Sequence, residues 1–188
     1  MARLGILVES RGVDLTAITA FETLKSRLGY SSALSGLSRS DLWGVWCEAE
    51  GARLGGLGKS LVEGTSVFVN PNKHRWRVWA EGVGEAFAPD GGAWILVWDS
   101  EETEGRRALS ELRGAGFGGE VKRVSKATLW RLSLSEGAGR SGLSLAEEIA
   151  AAVARDRGLL ANPHMHEWAC GEGELSMERA ITCLDSKR

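Results

Sequence analysis

The chain has 188 residues, 43% of them hydrophobic and 26% charged, and a formal net charge of −2. That length holds one domain or two small ones, can bury a core without staples, and has the composition of a globular protein. Near-neutral charge leaves no electrostatic footprint for nucleic acid or an anionic membrane, and no run of about 18 apolar residues is present to span a bilayer. Cys47, Cys170 and Cys183 are scattered and odd in number, with no C-x-x-C. Neither a zinc ribbon nor a disulfide framework is expected, and a reducing cytoplasm fits best. Charge arrives by Glu9 before any long apolar run, so no secretory leader is expected.

Residues 3–10 read as a strand. Asp14 can cap a helix by accepting from first-turn amides, and Ile18, Phe21, Leu24 and Leu28 follow at helical spacing until Gly29. Trp43, Val45 and Cys47 share one side of a second strand. The glycine-laden stretch 51–64 suggests a poor helix carrying Leu57, Leu61 and Val62. Asn70-Pro71 then turns the chain into a third strand, along which His74, Trp76 and Val78 alternate.

Residues 82–92, with four glycines and Pro89, read as a linker. Beyond it the pattern restarts. Trp94, Leu96 and Trp98 form a strand face, and Asp99 or Ser100 is expected to cap a helix bearing Ala108, Leu109 and Leu112. Trp130, Leu132 and Leu134 alternate with Arg131 and Ser133. Ser144-Leu145-Ala146-Glu147 has the spacing of a capping box, with Leu145, Ile149, Ala152, Val153 and Leu160 as the expected buried face. Asn162-Pro163 precedes a last strand through Trp168. In the tail, Met177, Ala180, Ile181 and Leu184 fall at helical spacing.

Two stretches read Asn-Pro-x-x-His-x-Trp: Asn70–Trp76 and Asn162–Trp168. They lie 92 positions apart, whereas Gly29-Tyr30 and Leu42-Trp43 match Gly116-Phe117 and Leu129-Trp130 at 87. An ordered set of matches with one insertion is the mark of an internal duplication. The expected organisation is therefore repeat 1 over 1–81, a linker over 82–92, repeat 2 over 93–170 and a tail over 171–188. Each repeat reads β-α-β-α-β. The expected class is α+β, ferredoxin-like in character, with antiparallel sheets, helices on one face, and the repeats clasped sheet to sheet as an internal pseudo-dimer.

The candidate chemical motifs are thin. Histidines 74, 164 and 166 do not supply a convergent ligand set with the required partners, so no metal is expected. Gly-Lys-Ser at 58–60 ends like a phosphate-binding loop, but Arg53 stands where that motif needs glycine. No nucleophile elbow, H-E-x-x-H or paired-carboxylate site stands out, so no catalytic residue and no cofactor is expected. Asn-Pro suits a helix-to-strand turn, because the residue before proline avoids the α region.

Copy two resembles a PurS subunit over nearly its whole length. The resemblance rests on Leu112-Arg113-Gly114-Ala115-Gly116-Phe117, on Lys122-Arg123-Val124-Ser125-Lys126 leading into a strand, on Leu-Leu-Ala-Asn-Pro at 159–163, and on the aromatic Trp168. Copy one keeps Leu28-Gly29-Tyr30, Arg39, Asn70-Pro71 and Trp76, and departs at Gly36, where the family arginine would stand. The resemblance implies a non-catalytic subunit of formylglycinamidine ribonucleotide synthase. Such a subunit bridges the glutaminase and the ATP-dependent synthase subunits and aids ammonia transfer. PurS chains are about half this length, so a tandem chain would supply both halves of a dimer. The expected partner-binding residues are Arg39, Asn70, Pro71, Arg75, Trp76, Arg77 and Trp79 in copy one, with Arg123, Lys126, Asn162, Pro163 and Trp168 in copy two. The rival readings are a small-molecule sensor or a scaffold in another assembly, a histidine-dependent enzyme, and an RNA-binding sheet, the last disfavoured by the charge.

Overall fold

The computed structural model describes residues 1–49, 51–82, 92–137, 139–154 and 157–185. Most of the expected linker 82–92 lies outside the described residues. Among them the chain forms six strands and five α-helices: β1 Ala2–Ser10, α1 Leu15–Ser26, β2 Leu34–Cys47, α2 Ala52–Glu63, β3 His74–Ala80, β4 Ala93–Asp99, α3 Thr103–Gly114, β5 Val121–Leu134, α4 Gly142–Ala150, β6 His166–Glu172 and α5 Met177–Asp185. The class is α+β. All six strands join one antiparallel sheet in the order β3-β1-β2-β5-β4-β6.

The two 14-residue strands, β2 and β5, sit at the centre. Both begin well before the stretches that alternate in sequence (42–47 and 128–134). Their first halves carry Ser, Gly, Arg and Lys, which hide the period-two signal, but pairing with each other supplies hydrogen bonds on at least one side. The register of that pairing is symmetric. Asp41 faces Thr128, 87 positions on, and outward from that pair Leu42 faces Ala127 as Ser40 faces Leu129, while Trp43 faces Lys126 as Arg39 faces Trp130. Exchanging the two halves by 87 positions maps this ladder onto itself. In each half the first strand lies between the other two.

This geometry corrects the expectation of two sheets packed face to face. The halves meet edge to edge, and one sheet runs through both. Pairing the exposed edges of β2 and β5 satisfies their main-chain groups, which stacking would leave open.

Helices α1 to α4 cover one face of the sheet over two cores. One core joins Leu54, Leu57 and Leu61 of α2 to Ala108 and Leu112 of α3, over Leu4, Ile6, Trp43, Val45 and Val124. The other joins Ala17 and Leu24 of α1 to Leu145 and Ile149 of α4, over Ile95, Val97, Trp130 and Leu132. Each core thus takes one helix from each half. Gly105 shows how closely α3 lies on the sheet: a Cβ there would come within 2.1 Å of the Val124 carbonyl oxygen.

Helices are not confined to one face, which is a second correction. α5 lies on the opposite face, where Met177, Ala180, Ile181 and Leu184 pack with Leu7, Leu42, Trp46, Trp94, Leu96, Trp98 and Leu129. These strand residues alternate with those of the other two cores, so β1, β2, β4 and β5 are apolar on both sides at their centres. Gly5 makes room for the helix, since a Cβ would lie 2.6 Å from the Met177 side chain.

Smaller departures have local causes. α3 is capped by neither Asp99 nor Ser100; its N-cap is Glu102, in the left-handed region at φ 52°, while the Asp99 carboxylate accepts from the amides of Glu101 and Thr103. α4 is capped by Ser141, which accepts from Ser144 N, so the apparent capping box lies one turn inside the helix. α4 ends at Ala150, leaving Ala152 exposed and Val153 69% exposed, contrary to the expected buried face. The glycine-laden α2 still forms 12 residues of helix, because Leu54, Leu57, Leu61 and Val62 bury against β1 and β2.

Candidate functional site

The Asn-Pro motifs build twin turns. In each, the asparagine side-chain oxygen accepts from the amide two residues on: Asn70 Oδ1 from Asn72 N and Asn162 Oδ1 from His164 N, both at 3.0 Å. The asparagine carbonyl accepts from the amides of the third and fourth residues on. The histidine folds back, so that His74 Nδ1 accepts from Asn70 N at 3.2 Å and His166 Nδ1 from Asn162 N at 3.1 Å. An acceptor Nδ1 means that the proton of the neutral ring sits on Nε2. The motif is thus a closed hydrogen-bonded unit that launches β3 and β6, and Asn70, Pro71, Asn162 and Pro163 are exposed on it.

Among the described residues β3 and β6 are the sheet edges, each paired on one side only. Arg75, Arg77 and Trp79 lie on the α5 side of β3. His74, Trp76 and Val78 lie on the other side, with Trp76 partly packed on the α2/α3 core. Trp168 of β6 is 37% exposed and faces Val97 across the ladder.

Arg123 and Lys126, two of the four basic residues of β5, are engaged within the chain. Arg123 donates to Glu102, to Asp185 Oδ1 at 3.0 Å and to the Leu184 carbonyl at 2.8 Å, and its guanidinium stacks 4.1 Å from the Trp46 ring centroid. It therefore clamps the start of α3 and the end of α5 together. Lys126 lies 2.7 Å from Glu104 and 3.2 Å from Asp41, over the Trp43 ring. Arg39, related to Lys126 by the register symmetry, binds Asp14 Oδ2 at 3.0 Å.

Two clefts open where the long strands outrun β1 and β4. One, of about 300 Å³, lies over the β4–α3 corner and contains Asp99, Glu102, Glu104, Lys126, Arg39 and His166. The other, of about 320 Å³, lies over the β1–α1 corner and is lined by Arg39, Arg75, Arg131, Glu9 and Asp14, with an apolar wall of Ala17, Ile18 and Leu37. The first carries three carboxylates against two cations and a histidine, and the second three arginines against two carboxylates. Sequence reading did not single out Arg131, Glu9 or Asp14 as site residues. Arg131 reads as the solvent side of an alternating strand, and only the fold brings its Nη2 to 2.6 Å from Glu9 and 2.9 Å from Ser40 Oγ. A third, apolar groove of about 450 Å³ runs between α1 and Leu159–Leu160, with Trp130 beneath.

The thiols are poorly suited to nucleophilic work. Burial pushes the Cys47 thiol up to about 12 and Cys170 up to about 11, and it raises Cys183 as well. Among the described residues no group of three or more His, Cys, Asp or Glu is placed to hold a metal ion. Among them also, no helix is long and apolar enough to cross a membrane. No protein-family model, curated protein or solved structure matches the chain.

Proposed function

We propose that this chain is a PurS-like, non-catalytic assembly subunit. In this reading two β-α-β-α-β repeats, fused in tandem, bridge the glutaminase and ATP-dependent synthase subunits of formylglycinamidine ribonucleotide synthase and aid ammonia transfer in the cytoplasm. The observation that carries it is the symmetric β2–β5 ladder about Asp41 and Thr128. A duplicated unit that pairs with its own copy accounts for that register, for the shared strand order and for the twin Asn-Pro turns. Fusion makes the pairing intramolecular and independent of dilution, and it frees each outer surface to diverge toward a different partner.

On this reading the partner-facing residues are Arg75, Arg77 and Trp79 on the β3 edge, Asn70-Pro71 and Asn162-Pro163 on the turns, and Trp168 on β6. Arginine and tryptophan are favoured anchors at such interfaces. Arg123 and Lys126 support the surface from within. The test is affinity purification of the tagged full chain from its native host. Recovery of a glutaminase together with an ATP-dependent synthase subunit is expected, and Arg75→Glu combined with Trp168→Ala is expected to release at least one of them. Recovery of neither from a folded, soluble chain overturns the reading. The two clefts favour an alternative, a tandem PurS-like sensor or scaffold in another assembly. A rise in Tm on adding amino acids or nucleotides to the isolated chain is the mark of the sensor.

A further inference from the structure

We infer that the basic cleft at the β1–α1 corner is a binding site for a small organic anion, a carboxylate or phosphate carried on a compact apolar body. The inference does not depend on which assembly the chain serves. Three arginines line this cleft against two carboxylates. Arg75 is exposed, and no described residue pairs with its guanidinium. Arg131 spends Nη2 on Glu9 and Ser40 and leaves Nη1 without a described partner, while Arg39 is held by Asp14. An arginine with donors to spare, beside a second with none engaged, is the arrangement that takes planar or tetrahedral oxyanions.

The opposite wall is apolar. Ala17 and Ile18 of α1 and Leu37 of β2 line it, and Ile18 stays 48% exposed. A bare inorganic ion would leave that wall wet, whereas an apolar body beside the charged group would cover it. A volume of about 320 Å³ suits a small metabolite.

The equivalent corner of the other half is filled differently. There Arg123 reaches across to Glu102 and to the end of α5. Its counterpart, 87 positions earlier, is Gly36, which projects no side chain. The cleft at the other corner also carries three carboxylates, Asp99, Glu102 and Glu104, against Arg39 and Lys126. Anion binding is therefore expected at one corner only.

The experiment is isothermal titration of the full chain with benzoate and with phenyl phosphate, using benzyl alcohol and inorganic phosphate as controls, at low and high salt. Saturable binding of at least one aromatic anion is expected, weakening as salt rises, with benzyl alcohol silent and inorganic phosphate weaker. Arg75→Ala removes a side chain with no described partner and should weaken binding about tenfold. Ser38→Glu, at an exposed position lining the cleft, should abolish it, with circular dichroism and Tm unchanged in both variants. Amide shifts on titration should centre on Gly12, Ile18 and Ser38. Absence of binding by both aromatic anions overturns the inference, as does binding that survives both substitutions. Equal binding of benzyl alcohol overturns the anionic part.

Discussion

Asp99 ends β4 and accepts from the amides of Glu101 and Thr103, which hold its carboxyl below an aspartate's usual range; burial opposes them. A depressed folded-state pKa contributes stability above the unfolded value of about 3.9, and that contribution is lost as pH falls through the lower folded value. Asp99→Asn should therefore lower Tm at pH 7 and flatten the acid limb of a Tm-against-pH curve. An unchanged acid limb would show that the carboxylate is not stabilised by those amides.

Arg123 acts at the same scale but across a greater distance. Alanine in its place leaves Glu102 and the carbonyl of Leu184 short of a donor and uncovers Trp46. A loss of about 1–3 kcal/mol in urea unfolding is expected, with faster amide exchange in α5. Arg123→Lys should recover only part of this, because an ammonium cannot stack and fork as a guanidinium does.

At the scale of elements, two helical glycines separate propensity from packing. A Cβ added at Gly55 in α2 would meet nothing within 4 Å, so Gly55→Ala should add about 0.5–1 kcal/mol of stability by removing the backbone entropy of glycine. Gly105 in α3 would press a Cβ onto the Val124 carbonyl, and Gly105→Ala should cost about 1–3 kcal/mol as the helix lifts from β5. Chemical denaturation of the two variants side by side reads both signs. The contrast also explains why composition misjudges α2. Its glycines weaken it locally, but a row of buried leucines holds it, and no propensity scale contains that burial.

The whole molecule is interleaved. Each helix-side core draws one helix from either half, and α5 spans strands of both on the far face. Residues 1–82 expressed alone should therefore remain largely unfolded, and so should 92–188. Mixed or co-expressed, the two should recover the far-ultraviolet dichroism and cooperative melting of the intact chain. Independent folding of either piece would contradict the shared cores.

The sequence by itself determined the α+β class, the β-α-β-α-β order read twice, the Asn-Pro turns and the amphipathic tail. These are local properties, written in periodicities of two and 3.6 and in the backbone limits of proline, and they do not depend on distant contacts. Only the tertiary structure decided that the halves join edge to edge, that their helices cross-pack, that α5 takes the other face, and that Arg39, Arg75 and Arg131 meet in one cleft. Strand pairing and helix docking are choices among surfaces of similar apolarity. What decides between them is complementary shape and the satisfaction of main-chain groups over long sequence separations, which no local pattern encodes.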